Sequence, residues 1–126
     1  MKIDRIDHLN ITVADLDRSI AFYKKVLGMD AEIIGEGRAA LLFGRQKIHL
    51  DLAGGPMTPR DSGRAEPRMP AHICFVTDAK ADQIAAHLAE CDVPVRMQGP
   101  RAGAIGTIQS LYIDDPDGNS IEISHY

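Results

Sequence analysis

The order of predicted secondary structure occurs twice along the chain, and this repeat constrains the fold more than any other feature. A strand, a helix and further strands are predicted before residue 54, and the same order is predicted again after residue 70. An offset of 64 residues superposes His8 on His72, and an offset of 73 superposes His49 on Glu122. We therefore expect two half-size units of similar fold.

The first half carries clear signals for each element. Residues 5–13 (RIDHLNITV) alternate and are rich in β-branched side chains, which is typical of a strand. Asp15 can cap a helix, and Gly28 can end it. Two or three short strands are expected to follow, in Ala31–Ile34, Arg38–Phe43 and Gln46–Leu52.

The second half begins after a segment that cannot continue a sheet. Residues 54–70 hold four of the seven prolines and three glycines, which predicts a linker or a flexible flap. After it, Asp78 can cap the second helix. The predicted strands of this half lie in 71–77, 93–97, near 108–114, and in 120–124. The glycine-rich stretch 99–107 is expected to be a loop, which could act as a lid that carries Arg101.

Length and charge restrict the class of protein. A chain of 126 residues fits one domain, 1–126, built from module 1 (1–53), linker (54–70) and module 2 (71–126), because halves of about 63 residues bury too little surface alone. The net charge of −4 and the absence of a basic block argue against nucleic-acid and membrane partners. The chain start lacks a signal-peptide core, and two cysteines cannot form a disulfide framework. We expect an α+β, cytoplasmic protein.

Strand alternation places four candidate metal ligands on the polar face of their strands, where they can converge if the two units close around one cavity. The apolar side chains of each strand are expected to face the helices, and the opposite face carries His8, His49, His72 and Glu122. Three imidazoles and one carboxylate suit Fe(II), Ni(II), Co(II), Mn(II) or Zn(II). In an octahedral site they leave two positions for a chelating substrate. The sequence therefore predicts one divalent transition metal and a small-molecule substrate.

Three further side chains are candidates for contact with that substrate. Tyr112 shares the polar face and could orient a substrate, although packing within the sheet is an equal alternative. Cys74 faces the same side, and it is either a nucleophilic thiol or a small apolar side chain that packs. Arg101 is the charged residue of the proposed lid. Asp51 is either a partner of a metal ligand or a solvated carboxylate.

The sequence also resembles a known family. The segments IDHLNITVADLDRSIAFYKKVLGM, AHICFV and LYIDDPDGNSIEI are similar to the vicinal oxygen chelate superfamily of glyoxalases, bleomycin resistance proteins and extradiol dioxygenases. GRAALLFGRQKIHL and GAIGTIQSLYIDDPDGNSIEIS more closely resemble glyoxalase-domain-containing and virulence-associated glyoxalase-like proteins. This resemblance implies two tandem βαβββ modules that form a cupped mixed sheet around a metal, with helices on the convex face, usually in a homodimer.

The resemblance also implies roles for the candidate residues. It places His8, His49, His72 and Glu122 at the ligand positions of the superfamily and makes Glu122 the base that transfers a proton. The favoured activity is that of a metal-dependent lyase or isomerase acting on vicinal oxygens. A non-haem Fe(II) dioxygenase, conjugation to an electrophile such as fosfomycin, and a metal-free protein that binds a drug or another small molecule remain open alternatives.

Overall fold

The chain folds as two units, each with its own sheet and helix. A computed structural model describes residues 1–55 and 71–126, and the chain divides into two compact units that each contain one of these ranges. Each unit contains a strand, a helix and three strands in that order. The predicted α+β fold of two tandem βαβββ modules is therefore confirmed. Most of the predicted linker, 54–70, lies outside the described residues.

The first unit is a four-stranded mixed sheet with one helix. Its elements are β1 (His8–Val13), α1 (Leu16–Leu27), β2 (Asp30–Gly35), β3 (Arg38–Phe43) and β4 (Gln46–Leu52). The strand order is β1-β4-β3-β2, with β1 parallel to β4 and the other pairs antiparallel. All five elements lie where the sequence predicts them, with small differences at their ends.

Helix α1 has the ends that the sequence predicts. Asp15 Oδ1 accepts a hydrogen bond of 2.9 Å from the backbone N–H of Arg18, and this satisfies a donor that the first turn leaves unpaired. Gly28 ends the helix at φ 63°, a left-handed conformation that glycine adopts without strain. Tyr23 and Val26 are buried on the inner face of the helix, which packs on β2, β3 and β4.

The second unit repeats this arrangement. Its elements are β5 (His72–Val76), α2 (Ala81–Glu90), β6 (Met97–Ala102), β7 (Thr107–Asp114) and β8 (Ser120–His125). The strand order is β5-β8-β7-β6, and β5 is parallel to β8. Helix α2 packs on β7 and β8 and buries Ile84 and Leu88. Neither helix in the described ranges is long and apolar enough to cross a membrane.

The predicted start of the second helix and the predicted strand in 93–97 are wrong. The helix does not begin at Asp78 but after Lys80, whose backbone N–H donates to Gln83 Oε1 at 2.8 Å. The strand predicted in 93–97 is β6, and it lies later in the chain. Pro94 lacks a backbone donor, so residues around it are poor candidates for a strand, whereas Pro100 is tolerated because β6 is an edge strand.

The strand registers confirm the internal repeat. In the parallel pair of the first unit, Asn10 lies opposite His49. In the parallel pair of the second unit, Cys74 lies opposite Glu122. The offset of 64 residues superposes Asn10 on Cys74, and the offset of 73 superposes His49 on Glu122, so the two strand pairs correspond. The repeat predicted from spacing is therefore a repeat of structure.

Candidate functional site

In the first unit, His8 and His49 form a pair on the polar face of the sheet. They lie on neighbouring strands, diagonally across the register, and their rings stack with centroids 4.7 Å apart. His8 Nδ1 is 2.8 Å from Asp7 Oδ1, and this hydrogen bond lowers the pKa of Asp7. Because an ionised carboxylate only accepts, Nδ1 carries the proton, and the lone pair of Nε2 is available to a metal.

A polar network surrounds His49. Asp51 accepts hydrogen bonds from Arg38 Nε at 2.6 Å and from Asn10 Nδ2 at 2.9 Å. Arg38 Nη2 lies 3.5 Å from His49 Nδ1. Burial is the largest cause that lowers the pKa of His49, and the neighbouring groups His8, Lys47 and Arg38 add to it. The neutral imidazole, which is the form that binds metals, is therefore favoured.

In the second unit, Glu122 and His72 form the corresponding pair. His72 Nε2 is 3.0 Å from Glu122 Oε2, and the carboxylate is only 6% exposed. Burial by itself raises the pKa of Glu122, but hydrogen bonds from Ser110, Tyr112 and His72 outweigh it, so that the pKa lies below its usual value. Ser124 Oγ also donates to Oε1 at 3.4 Å. The carboxylate is therefore ionised at neutral pH.

Tyr112 connects Glu122 to Arg101. Arg101 Nε donates to the Tyr112 hydroxyl at 3.1 Å, and its guanidinium lies 5.2 Å from the ring centroid. Since a guanidinium has no acceptor, the Tyr112 oxygen accepts this bond and its own proton can point to Glu122. Burial and the neighbouring carboxylate raise the pKa of Tyr112, so the phenol stays protonated.

The structure corrects the interpretation of Arg101 as part of a lid. The stretch 99–107 was expected to be a loop, but residues up to Ala102 belong to β6, and Thr107 begins β7. The two strands form an antiparallel hairpin in which Arg101 lies opposite Ile108. The side chain of Arg101 is therefore fixed on a strand, in contact with Tyr112.

Cys74 lies beside the same carboxylate but is not activated. Its Sγ is 3.4 Å from Ser124 Oγ, and it lies opposite Glu122 in the register. Burial of the sulfur raises the pKa of the Cys74 thiol, and the charge of Glu122 adds to this effect. The thiol is consequently protonated at neutral pH, which disfavours it as a nucleophile.

A turn in the second unit fixes the position of Glu122. Asp115 Oδ1 accepts hydrogen bonds from the backbone N–H groups of Asp117 and Asn119, and Asn119 Nδ2 donates to Asp115 Oδ2 at 2.7 Å. Asn119 Oδ1 accepts from the backbone N–H of Ala71 at 2.7 Å. The turn therefore joins the start of β5 to the start of β8, and this sets the register that brings His72 beside Glu122.

The donor sets of the two pairs fit a divalent transition metal. Each pair offers imidazole nitrogen or carboxylate oxygen, the ligands that such metals prefer. The 3.0 Å between His72 Nε2 and Glu122 Oε2 is close to the ~3 Å expected for two neighbouring ligands, each about 2.1 Å from one metal, at a right angle. In residues 1–55 and 71–126, no three His, Cys, Asp or Glu side chains are grouped as a metal site. The structure thus brings the candidates together as two pairs.

Three polar residues, each on the same sheet face as the predicted ligands of its own unit, were not assigned roles from the sequence. Arg38 and Asn10 bind Asp51, and Ser110 hydrogen-bonds Ser124 at 2.8 Å. Strand alternation alone places all of them on the face of the predicted ligands. Their bonding could not be predicted, because it depends on the register between strands that are distant in sequence.

Comparisons with known proteins identify the superfamily that the sequence resembles, over nearly the whole chain. The profile described as "Glyoxalase/Bleomycin resistance protein/Dioxygenase superfamily" matches residues 5–123. Virulence protein STM3117 of Salmonella typhimurium is 43% identical over 100% of this chain and 87% of its own length. Glyoxalase domain-containing protein RDO1 of Mycosarcoma maydis is 40% identical over 100% and 70%. Metallothiol transferase FosB of Staphylococcus epidermidis is 32% identical over 98% and 82%.

Solved structures have the same fold. An integron cassette protein from the mobile metagenome of V. cholerae superposes with a TM-score of 0.89 and 43% identity, over 100% of this chain and 98% of that chain. Lactoylglutathione lyase from Agrobacterium tumefaciens superposes with a TM-score of 0.74 and 27% identity, over 98% and 95% of the two chains.

Proposed function

Because the chain belongs to the glyoxalase/bleomycin resistance protein/dioxygenase superfamily, we propose that it is a divalent-metal-dependent lyase or isomerase of the glyoxalase type. Its substrate is a small molecule bound through two vicinal oxygen atoms. The observation that carries this proposal is the contact between His72 and Glu122, which pairs a metal-binding imidazole with a buried, ionised carboxylate. The similarity to lactoylglutathione lyase supports the reaction class.

Four side chains would hold the metal in this proposal: His8, His49, His72 and Glu122. A divalent ion bound there supplies a Lewis acid that stabilises negative charge on the substrate oxygens. His8 is prepared for this role by Asp7, which holds the proton on Nδ1. His49 is prepared by its lowered pKa, which keeps the imidazole neutral. Homodimer assembly stays a prediction of the resemblance, and a cytoplasmic location stays a prediction from the amino-terminal sequence and the two cysteines.

Glu122 is the proposed catalytic base. An ionised carboxylate can take a proton from one substrate carbon and return it to the neighbouring carbon. Ser124 Oγ donates to this carboxylate at 3.4 Å, and Ser110 and Tyr112 beside it help to lower the pKa of Glu122. Tyr112, Arg101 and Cys74 are the proposed contacts for the substrate, because they lie on the same sheet face as Glu122.

A Glu122→Gln variant tests the base when it is compared with wild type at equal metal content, because Glu122 is also a proposed metal ligand. Ni(II), Mn(II) and Fe(II) forms of the protein are screened against hemithioacetals, and the variant is compared on any substrate that turns over. Loss of a positioned base is expected to lower kcat by about 10²–10⁴-fold, with a small change in KM. Glu90→Gln, at the exposed end of α2, is the matched control and keeps full activity. A variant with wild-type kcat contradicts the assignment.

Transfer of a thiol to an electrophile is a second candidate function. It is favoured by one observation, the 32% identity to a metallothiol transferase over nearly the whole chain. Incubation of each metal form with fosfomycin and a low-molecular-weight thiol, followed by mass spectrometry, distinguishes it from the first candidate. A thiol adduct supports transfer, whereas turnover of hemithioacetals alone supports the lyase. Oxygen uptake with catechols would instead indicate the dioxygenase alternative.

A further inference from the structure

Arg38 is a cation held rigidly beside His49. Its Nε donates to Asp51 Oδ1 at 2.6 Å, and Asp51 is held in turn by Asn10 Nδ2 at 2.9 Å. Arg38 Nη2 points towards His49 and lies 3.5 Å from Nδ1. The guanidinium is therefore anchored through one edge, with its terminal nitrogens beside a proposed metal ligand.

The side chains of Arg38 and Asp51 differ in their exposure to solvent. The side chain of Asp51 is 2% exposed, whereas that of Arg38 is 21% exposed. The carboxylate is thus buried and occupied by two donors, and Arg38 is the more exposed member of the pair. Within residues 1–55 and 71–126, Arg38 has no acidic partner other than Asp51 at ion-pair distance.

The charged groups at this position are Arg38, Lys47 and the carboxylate of Asp51, with which Arg38 pairs. Lys47 lies on the same sheet face, and it stands opposite His8 in the register. The positive charges of Lys47 and Arg38 lower the pKa of His49, and the charge of Asp51 opposes them with a smaller effect. An anchored guanidinium presents parallel N–H groups that match the geometry of a carboxylate, phosphonate or phosphate, and it loses little side-chain entropy when such a group binds.

We propose that Arg38, anchored by Asp51 and Asn10 beside His49, is a binding subsite for an oxyanion group of the substrate. This inference rests on the proposed function in one respect, because it takes the ligand to be the substrate of that site. It narrows the substrate to an anionic small molecule that carries a carboxylate, phosphonate or phosphate near its vicinal oxygens. Arg38 does not take part in proton transfer in this account.

The test uses methylphosphonate as the probe, with acetate and inorganic phosphate as comparison anions. Binding to the full chain is measured by calorimetric titration at low ionic strength, before and after reconstitution with Ni(II). Removing Arg38 alone leaves a buried carboxylate unpaired and can unfold the protein. The main variant is therefore Arg38→Met combined with Asp51→Asn, which removes both charges and keeps an oxygen that can accept from Asn10.

The expected result is saturable binding to wild-type protein that weakens at least about tenfold in the double variant. Arg38→Lys is expected to fall between them, because an ammonium group lacks the planar fork. Arg45→Met removes an exposed arginine from the β3–β4 turn and should bind as wild type does. Circular dichroism of every variant establishes that it is folded.

Two outcomes overturn the subsite: no saturable binding to wild-type protein, or equal binding by wild type and the folded double variant. Metal content, measured on the same samples, tests the proposed function separately. Anion binding that depends on Arg38 in a chain that takes up no metal leaves the subsite standing and refutes the metalloenzyme. Metal uptake without Arg38-dependent anion binding refutes the subsite alone.

Discussion

Replacement of Asp51 by alanine is predicted to destabilise the protein strongly, although Asp51 is neither a proposed ligand nor a base. Asp51 is 1% exposed and accepts hydrogen bonds from Arg38 and Asn10. Its removal leaves the guanidinium in a largely buried position without a carboxylate. Breaking a buried ion pair costs about 3–5 kcal/mol, and the partial exposure of Arg38 puts the expected loss near the lower limit, about 3 kcal/mol.

Urea unfolding of the metal-free protein measures this decrease in the free energy of unfolding, and thermal unfolding measures the corresponding change in Tm. For a chain of 126 residues, a loss of about 3 kcal/mol corresponds to a decrease in Tm of roughly 11 °C. Asp51→Asn keeps an acceptor for Asn10 and should lose only about 1–2 kcal/mol. Asp30→Ala, at an exposed position of β2, is the control and should change the free energy of unfolding by less than about 0.5 kcal/mol. A loss below about 1 kcal/mol for Asp51→Ala refutes the argument that Asp51 and Arg38 form a buried ion pair that stabilises the protein.

Three other predictions each concern a single residue. Asp15→Ala removes the cap of α1 and should lower the free energy of unfolding by about 1 kcal/mol in urea, whereas Asp17→Ala keeps that cap and should cost less. Asn119→Ala breaks the bond to Ala71 and should speed hydrogen exchange of the Ala71 amide; unchanged exchange would show that the turn does not hold β5. Burial and nearby cations put the folded-state pKa of His49 below its ordinary value of 6.5, so the unfolded chain binds this proton more tightly. The stability of the metal-free protein is therefore full above pH 6.5 and falls as the pH decreases through the folded-state pKa, and His49→Gln should reduce this dependence.

The fold could largely be predicted from the sequence because its signals are local. The alternation in residues 5–13 and the helix-ending residues Asp15 and Gly28 act within a few positions, and the structure has the elements that they predict. The predicted beginning of α2 was wrong because Lys80, and not Asp78, precedes the first turn, where its backbone N–H donates to Gln83 Oε1. Strand β6 was misplaced because Pro100 is acceptable only at a sheet edge, which is a property of the topology.

The candidate site could be predicted only in part. Alternation and the repeat identified His72 and Glu122 as residues of one face, and their contact at 3.0 Å lies within a single unit. The network of Arg38 with Asp51 depends on the register of β3 and β4, and no local pattern encodes it. The fixed position of Arg101 against Tyr112 was missed for the same reason, since it follows from the pairing of β6 with β7.

The central proposal is that this chain binds one divalent metal, with His8, His49, His72 and Glu122 as the proposed ligands, and metal analysis tests it most directly. Protein purified without chelators is analysed by elemental mass spectrometry, alone and after reconstitution with Ni(II), Mn(II), Fe(II) or Zn(II). The account predicts close to one equivalent per chain in the wild type, and a large loss of bound metal in folded His8→Ala and His72→Ala variants. His87→Ala, on the exposed side of α2, should retain the wild-type content. Absence of bound metal under all of these conditions, or equal metal content in all variants, would contradict the account.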